Sequence, residues 1–261
     1  MPEGDVLRRT AARLDLALVG SPLARADLRW PTAATVDLVG RTVLGTRPYG
    51  KHLLTRFDDG RTLHTHLRMD GYWRVHRTEP SGSRERSPQI RAVLATDTWT
   101  AVGHLLGMLD VVATRDEHTL IGHLGPDVLD DPFDAAEALT RWAAQGATPA
   151  AEVLLDQTVV AGIGTIFMAE SLFAERLWPW LPADQVPDPG RLLLVARRLM
   201  QRSVTSGRPP GHVHGRFRRP CVRCGTPVAR GEARRPPMQR PVFYCPRCQA
   251  APSPVTRPAG A

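Results

Sequence analysis

The residues nearest the start of the chain that could do chemistry are Pro2 and Glu3, in the segment Met-Pro-Glu-Gly-Asp. An initiator methionine before proline is normally trimmed, which would leave Pro2 with a free secondary amine. Because an α-amino group titrates at about 7.7–8.0, a useful fraction of that amine is neutral at physiological pH. A neutral amine can attack a sugar or carbonyl carbon to form an imine, and Glu3 could exchange the proton that this step needs. The alternative is an inert, frayed terminus.

Lys51 is the only lysine of the chain, and every other cationic side chain outside the histidines is arginine. Arginine does not usefully give up its proton, whereas lysine can shift its pKa and carry protons. We therefore interpret Lys51 as a candidate for chemistry. The alternative, a lysine kept only for its charge, stays open on this observation alone.

The four cysteines form two Cys-x-x-Cys pairs, Cys221 with Cys224 and Cys245 with Cys248. This spacing fits one structural zinc ion held by four thiolates. Two disulfides are the competing interpretation, which a basic chain without signal-peptide features disfavours. Residues 228–244, between the pairs, are predicted to form a hairpin with Arg240 near its tip. A ribbon this small depends on bound metal for its stability.

The charge balance is basic, with 34 Lys and Arg residues against 26 Asp and Glu residues and a pI of about 10.3. The excess is concentrated between Arg197 and Arg247, where Glu232 is the one acid. Such a surface suits a polyanion, and nucleic acid is the first candidate, although a bias toward arginine codons would also raise the pI. No apolar run reaches the ~20 residues of a membrane span, and signal-peptide features are absent, so we expect a cytoplasmic protein without a membrane partner.

The elements that must position these residues begin with a helix. Leu7, Ala11, Leu14 and Leu18 have helical spacing, so the candidate amine should lie just ahead of a helix start. Residues 23–115 have the alternation and turn signals of strands, with strands at 90–94 and 109–114. Residues 52–57 and 61–67, joined by an Asp-Asp-Gly turn, predict a hairpin with Lys51 at its start. Residues 78–88 are predicted to be a mobile surface loop.

Helices follow from residue 131. We predict helices at 134–145, from a Thr148-Pro149 N-cap pair to 161, from 165 to about 173, and at 191–203 with a cationic face. Gly162 and Gly164 would let backbone amides at the start of the third helix meet an anion, and in a basic chain a DNA phosphate is the candidate anion. A plain turn between helices is the alternative. Met69, beside Arg68, could be a wedge into a base stack or could close the core of the sheet.

Taken in chain order, these segments resemble the formamidopyrimidine-DNA glycosylase and endonuclease VIII family of base-excision repair enzymes, over residues 1–249. Their common order makes the resemblance specific, and the Pro-Glu-Gly-Asp start resembles the endonuclease VIII branch. The motifs are Met-Pro-Glu-Gly-Asp at 1–5, Tyr-Gly-Lys-His-Leu at 49–53, His-Leu-Arg-Met-Asp-Gly at 66–71, Leu-Gly-Pro-Asp at 124–127, Leu-Leu-Asp-Gln-x-Val-x-Ala-Gly-Ile-Gly at 154–164 and Gln-Arg-Pro-Val-Phe-Tyr-Cys-Pro-x-Cys-Gln at 239–249.

The resemblance implies an α+β fold in three parts. An N-terminal two-layered β-sandwich with an N-terminal helix would cover residues 1–130, and a helix-two-turn-helix DNA-binding domain would cover 131–215. A zinc ribbon would cover 216–249, and 250–261 is predicted to be a disordered tail. The protein would be a monomer of the cytoplasm, associated with the nucleoid, that binds damaged DNA in the cleft between these parts.

The same resemblance implies the roles of the site residues. Pro2 would attack C1′ of the damaged nucleotide, displace the base and form an imine, while Glu3 would protonate the ring oxygen of the sugar. Lys51 would contact phosphate and donate a proton around β-elimination. Arg240 would contact the phosphates at the lesion and support δ-elimination.

DNA contacts are implied for residues in loops and at one helix start. The lesion nucleotide would be flipped out of the stack, and the loop at 67–69 would fill its vacancy. The residues concerned are Arg68, Met69, His123, Gly164 and Thr165.

Two departures from the family pattern bear on affinity and substrate. The family usually has asparagine where this chain has Thr165, which predicts weaker DNA binding. Oxidised-guanine enzymes carry an Arg-Phe pair that the matching residues 102–107 lack, which predicts oxidised pyrimidines as substrates. The alternatives are an oxidised-purine glycosylase, a zinc-ribbon DNA-binding paralogue without catalysis, and a ribosome-associated RNA-binding protein.

Overall fold

The computed structural model describes residues 2–79, 87–235 and 238–252. Met1, most of the predicted surface loop at 78–88 and most of the predicted tail at 250–261 lie outside these residues. Within them, no helix combines the length and the apolar character that crossing a membrane requires.

The N-terminal part is one helix and two four-stranded antiparallel sheets, as the α+β sandwich prediction requires. Leucines on the inner faces of both sheets and of the helix form a single core. The helix is α1 (Gly4–Leu18). The first sheet has the order β2 (Val43–Tyr49), β3 (His52–Phe57), β4 (Arg61–His66), β8 (Met108–Ala113), and the second has the order β1 (Arg25–Leu28), β6 (Ile90–Ala95), β7 (Trp99–His104), β5 (Tyr72–Arg77).

The predicted hairpin is confirmed. Strands β3 and β4 pair through the turn at 58–60, with His52 opposite His66. The apolar stripe predicted for α1 is buried. Strands β1, β2, β5 and β7 were not singled out individually, although all four lie within residues 23–115, which the sequence predicts to form strands.

Helices follow the sandwich: α2 (His118–Ile121), α3 (Ala135–Ala143), α4 (Ala150–Leu155), α5 (Thr165–Ala174) and α6 (Pro189–Ser206). The prediction for α4 was wrong at both ends. Its N-cap is Pro149, one residue after the predicted Thr148. It ends at Leu155 because the Asp156 carboxylate accepts the Thr158 amide at 2.8 Å and closes a turn, so residues 156–161 are not helical.

The C-terminal part is the predicted hairpin, β9 (Ala229–Arg235) paired with β10 (Met238–Tyr244). Its buried residues Ala233, Val242 and Cys245 share one core with α3 to α6. Val128 and Leu129 belong to that core too, so the packing unit begins slightly before residue 131. The division at 130 and 215 stays a prediction about domains.

Candidate active site

Glu3 binds the first turn of α5. Its Oε2 accepts the amides of Gly164 at 2.8 Å and Phe167 at 3.3 Å, and its Oε1 accepts the amide of Ile166 at 2.7 Å. A helix N-terminus favours a negative charge, so this carboxylate completes the helix. The anion at these amides is therefore a side chain from the chain's own start, where the sequence predicted a DNA phosphate.

Residues 162–165, which we call the elbow, contain two glycines that make this contact possible. A Cβ on Gly164 would lie 2.4 Å from Cδ of Glu3, which a side chain cannot tolerate. Gly162 has a φ of 102°, a conformation that other residues rarely adopt. Its carbonyl accepts the Gly4 amide at 2.9 Å, which fastens the start of α1 to the elbow. Residue 2 is therefore held next to the elbow, one residue before Glu3.

Lys51 reaches the same elbow from the sandwich. Its Nζ donates to the Ile163 carbonyl at 2.6 Å, which leaves two of its three hydrogens for other acceptors. Burial lowers the pKa of Lys51 to about 8, the Glu3 carboxylate opposes this shift, and the positive charge of Arg240 adds to it. Arg240 of the ribbon hairpin therefore lies within electrostatic range of Lys51.

The pKa of Glu3 is raised. Burial is the largest cause, and it outweighs the Lys51 charge and the three amide hydrogen bonds, which lower the pKa. A carboxyl with a raised pKa holds a proton nearer to neutral pH, which is the property a proton donor needs. Glu3 is thus easier to protonate, and Lys51 is easier to deprotonate, than the same side chain is in water.

Asp127 positions Lys51 and was not singled out from the sequence. This buried carboxylate accepts the Gly50 amide at 3.1 Å through Oδ2 and the Leu129 amide at 2.8 Å through Oδ1. Arg8 lies 3.5 Å from it. Burial raises the pKa of Asp127 to about 6. The available signal was the acid in the Leu-Gly-Pro-Asp motif at 124–127, to which the sequence analysis assigned no role of its own.

A second contact missed from the sequence joins α1 to α6. The Ser203 hydroxyl donates to Asp5 at 2.6 Å, and Arg9 donates to the Ser203 carbonyl at 2.6 Å. Asp5 and Ser203 are both buried. This clamp holds the helix that carries Pro2 and Glu3.

The residues predicted to touch DNA differ in their exposure to solvent. Met69 is 53% exposed, so the alternative that it closes the core of the sheet is wrong. Its neighbour Arg68 has a φ of 54° and packs where a Cβ on Gly107 would stand. His123 is exposed, whereas Thr165 is buried at the elbow. DNA contact by these residues stays a prediction.

The four cysteines converge at the base of the ribbon, with their sulfur atoms within 4.8 Å of one another. Three of the separations are 3.5 Å (Cys224 to Cys245), 3.5 Å (Cys224 to Cys248) and 4.0 Å (Cys221 to Cys248). Tetrahedral zinc with bonds of about 2.3 Å places sulfurs about 3.8 Å apart. The donor set therefore fits zinc.

Gln249 ties this cluster to the helices. Its Oε1 accepts the Cys245 amide at 3.0 Å, and its Nε2 donates to the Leu177 carbonyl at 2.9 Å. The side chain is fully buried. The position of the ribbon, and of Arg240 with it, is thus coupled to the packing of the helical part.

Comparison with known proteins agrees with this arrangement. Residues 1–105 match the formamidopyrimidine-DNA glycosylase N-terminal domain, and residues 124–209 match the formamidopyrimidine-DNA glycosylase H2TH domain. A "Probable endonuclease 8 2" from Streptomyces coelicolor is 43% identical, over 100% of this chain and 97% of its own length. The chain belongs to the formamidopyrimidine-DNA glycosylase family.

The chain is also similar to two further proteins, one compared by sequence and one by structure. A "DNA-(apurinic or apyrimidinic site) lyase Nei2" from Mycolicibacterium smegmatis is 36% identical, over 96% of this chain and 100% of its own length. The formamidopyrimidine-DNA glycosylase of Lactococcus lactis, solved with DNA that contains an abasic site, has the same fold, with a TM-score of 0.81 at 21% identity. The match covers 95% of this chain and 100% of that one. The resemblance found in the sequence is confirmed, for the family and for the fold.

Proposed function

We propose that the chain is a bifunctional DNA glycosylase and AP lyase of base-excision repair, with Pro2 as its nucleophile. One observation carries this proposal: Glu3 and Lys51, 48 positions apart in the sequence, meet on one elbow, and Arg240 lies within electrostatic range of Lys51. A DNA-binding module needs neither a buried carboxyl nor a buried lysine. The relatives named endonuclease 8 and AP lyase support the same activity.

The first step is attack of the Pro2 amine on C1′ of the damaged nucleotide. Removal of Met1 frees this amine, and the new C–N bond replaces the bond to the base. Glu3, whose pKa burial raises, donates a proton to the ring oxygen of the sugar. The ring opens as the imine forms, so the protein is joined covalently to the deoxyribose.

Elimination follows from the imine. Loss of the C2′ proton allows the C3′–O bond to break, and the phosphate leaves. Lys51 keeps two hydrogens free for a phosphate oxygen, and its pKa of about 8 suits proton transfer near neutral pH. Arg240 stabilises the charge of the phosphates and supports the second, δ-elimination.

Zinc would be held by Cys221, Cys224, Cys245 and Cys248, and its contribution is structural. The bound ion fixes the base of the β9–β10 hairpin and thereby the position of Arg240. We further propose a monomer in the cytoplasm that binds damaged DNA through Met69, Arg68, His123 and Thr165, with the domain division given above. Light scattering during gel filtration, with and without a DNA duplex, tests the monomer.

Oxidised pyrimidines are the proposed substrates. Residues 102–107 carry no Arg-Phe pair, and His104 instead stacks on Tyr72 with ring centroids 4.8 Å apart. A panel of duplexes, each with one oxidised pyrimidine or purine, scored for base release, tests this choice. Faster release of an oxidised purine would favour the alternative substrate class.

Borohydride trapping tests the activity itself. The wild-type protein should form a covalent adduct with abasic-site DNA, and Pro2→Gly should form much less, because its primary amine terminus lacks the ring that preorganises the attack. Glu3→Gln should lower the adduct from base-containing DNA by at least about a hundredfold, the usual contribution of a positioned acid. Glu137→Gln, on α3 with 44% of the glutamate side chain exposed, is the matched control.

Intact binding of lesion DNA by the wild-type protein without adduct or strand cleavage would contradict the proposal and support the binding-only paralogue. Intact-mass analysis of the same sample, with Met1 still attached, would also contradict it.

Arg240→Ala separates the two elimination steps. Formation of the 3′-phosphate end, the product of δ-elimination, should fall about tenfold, while base release changes little, because the guanidinium acts on phosphates rather than on the base. Arg230→Ala, an exposed arginine of the same hairpin, is the control. Equal loss of both activities would contradict the assigned role.

A further inference from the structure

The exposed loop that carries Met69 is fastened by two hydrogen bonds. The Gly71 amide donates to the Leu67 carbonyl at 2.9 Å, and the Arg68 amide donates to Nδ1 of the His66 ring at 2.9 Å. The Met69 side chain is 53% exposed although it is apolar. The loop therefore presents an apolar side chain to solvent in a shape that its own hydrogen bonds define.

The backbone of Arg68 needs this support. Its φ is 54°, a left-handed conformation that residues other than glycine rarely adopt. The Arg68 side chain packs over Gly107, in the space that a Cβ on that glycine would fill. The Gly107 amide in turn donates to the His66 carbonyl at 2.9 Å. His66 thus holds the loop twice, through its ring at Arg68 and through its carbonyl at the neighbouring loop.

The Arg68 amide also assigns the state of the His66 ring. A backbone N–H only donates, so Nδ1 of His66 carries a lone pair and the neutral ring has its proton on Nε2. Burial is the largest of the causes that lower the pKa of His66 to about 4, and the positive charges of Arg68 and Lys51 add to it. The acceptor on Nδ1 is therefore present at neutral pH.

A row of polar side chains on the first sheet backs the His66 ring. The rings of His66 and His52 meet edge-on, with centroids 4.8 Å apart. His52 Nδ1 lies 2.8 Å from His64 Nε2, and His64 Nδ1 lies 3.2 Å from Asp110 Oδ2. The neighbouring strands β3, β4 and β8 fix the spacing of this row. The His66 ring therefore packs on a fixed neighbour that limits its rotation.

We propose that His66 is a positioning residue for base extrusion, which holds the turn at Arg68 through Nδ1 and thereby presents Met69 for insertion into the base stack. This inference rests on the proposed glycosylase activity and on the proposed contact of Met69 with DNA. A side chain that enters the stack opposes the return of the flipped base. A loop that is already ordered loses less conformational entropy on insertion than a flexible one.

The proposal predicts which substrates depend on His66. Extrusion of a paired base disrupts both pairing and stacking, whereas an unpaired base in a bubble is extruded at lower cost. Loss of the acceptor for the Arg68 amide should therefore slow base release from a paired lesion and spare release of the same lesion from a bubble. A defect in folding or in catalysis would instead slow release from both substrates.

Two substitutions at His66 separate the inner and the outer nitrogen of its ring. Oδ1 of asparagine stands as many bonds from Cα as Nδ1 of histidine, and asparagine commonly accepts the amide two residues further on. Oε1 of glutamine stands one bond further out, at the level of Nε2. His66→Asn therefore keeps the acceptor for the Arg68 amide, whereas His66→Gln removes it and keeps a polar group at the outer position.

The measurement is the single-turnover rate of base release from a paired lesion, divided by the rate for the same lesion in a bubble. The lesion is the one that the duplex panel above shows to be released fastest. We expect His66→Gln to lower this ratio about tenfold and His66→Asn to stay within about twofold of the wild type. Met69→Ala should lower the ratio as His66→Gln does, because the inserting side chain is lost. His118→Gln, at an exposed histidine of α2, should match the wild type.

An unchanged ratio in His66→Gln, or a loss in His66→Asn as large as that in His66→Gln, overturns the positioning role. Base release by the wild type would then leave the glycosylase proposal standing. An unchanged ratio in Met69→Ala overturns the insertion of this side chain and the role of His66 with it. A wild-type protein that releases no base and forms no borohydride adduct overturns both proposals.

Discussion

The elbow at residues 162–165 and the cysteine cluster of the ribbon both gather negative charge, but different groups balance that charge. At the elbow, a buried carboxylate from residue 3 is satisfied by three backbone amides, so folding alone completes the arrangement. In the ribbon, four sulfurs converge within 4.8 Å, and a cation has to join them before their charges are balanced. Since Arg240 of the ribbon acts on Lys51 at the elbow, the site combines a part that is always preorganised with a part that depends on an ion.

Removal of the zinc ion that we propose for the cysteine cluster should have the largest effect on this comparison. Chelation should lower the affinity for abasic-site DNA by about a hundredfold, because the phosphate contacts of the hairpin are lost. The sandwich and the Glu3 contacts should persist, so thermal unfolding should show a retained main transition. Fluorescence anisotropy and calorimetry check both parts. Added zinc should restore the affinity, and an affinity that chelation leaves unchanged would remove the ribbon from the site.

Asp127→Asn tests whether the contacts that hold Lys51 at the elbow are preorganised by the fold. The amide NH₂ group that replaces one carboxylate oxygen would face either the Gly50 or the Leu129 donor, and an unsatisfied buried donor costs about 1–3 kcal/mol. We expect the strand-scission rate to fall about tenfold with little change in DNA affinity. Asp130→Asn also weakens an Arg8 contact but touches neither amide, so it should remain within about twofold of the wild type. Equal effects of both variants would assign the loss to Arg8.

The pKa of Lys51 reports directly on the electrostatic coupling between the elbow and the ribbon, and we expect its changes to be the smallest of the effects predicted here. Because the chain has a single lysine, ¹⁵N-lysine labelling gives one side-chain resonance, which should titrate near pH 8. Arg240→Ala should raise this pKa, because a repelling positive charge is lost, and Glu3→Gln should lower it. Arg230→Ala should leave it in place. An unchanged midpoint in Arg240→Ala would separate the ribbon from the elbow.

The sign of the associated stability change follows from the same pKa. The folded state holds Lys51 with a pKa of about 8, below the ordinary 10.5, so the unfolded chain binds more protons between these values. Burial of the ammonium therefore costs stability below about pH 8, and this cost is relieved as the pH rises toward 10.5. Denaturant unfolding of the wild type and Lys51→Met across this range checks the direction, since the variant should lack this relief.

Much of the fold was predictable because its signals are local. The spacing of Leu7, Ala11 and Leu14 predicts the buried face of α1, and the Asp-Asp-Gly turn predicts the β3–β4 pairing. The Cys-x-x-Cys pairs predict the sulfur cluster. The isolation of Lys51 in an arginine-rich chain predicts a special lysine, and the structure gives it a buried partner set at the elbow.

The rest could not be predicted because it depends on contacts between distant segments. The amides of α5 bind Glu3, 161 positions earlier, and a pattern within the helix cannot distinguish this carboxylate from a phosphate. Asp127 acts on Gly50 across 77 positions. The contacts among His52, His64 and Asp110 need the register of three strands, and single histidines on strands are ordinary core or surface residues until that register is known.

The contact between Glu3 and Gly164 can form only late in the synthesis of the chain. Residues 2 and 3 leave the ribosome first, yet their binding partners at 164–167 are synthesised more than 160 residues later. At about 5–20 residues per second, the helix that carries them waits roughly ten to thirty seconds before its acid can find the α5 amides. The arrangement of Glu3 on the α5 amides can therefore form only after most of the chain has been synthesised.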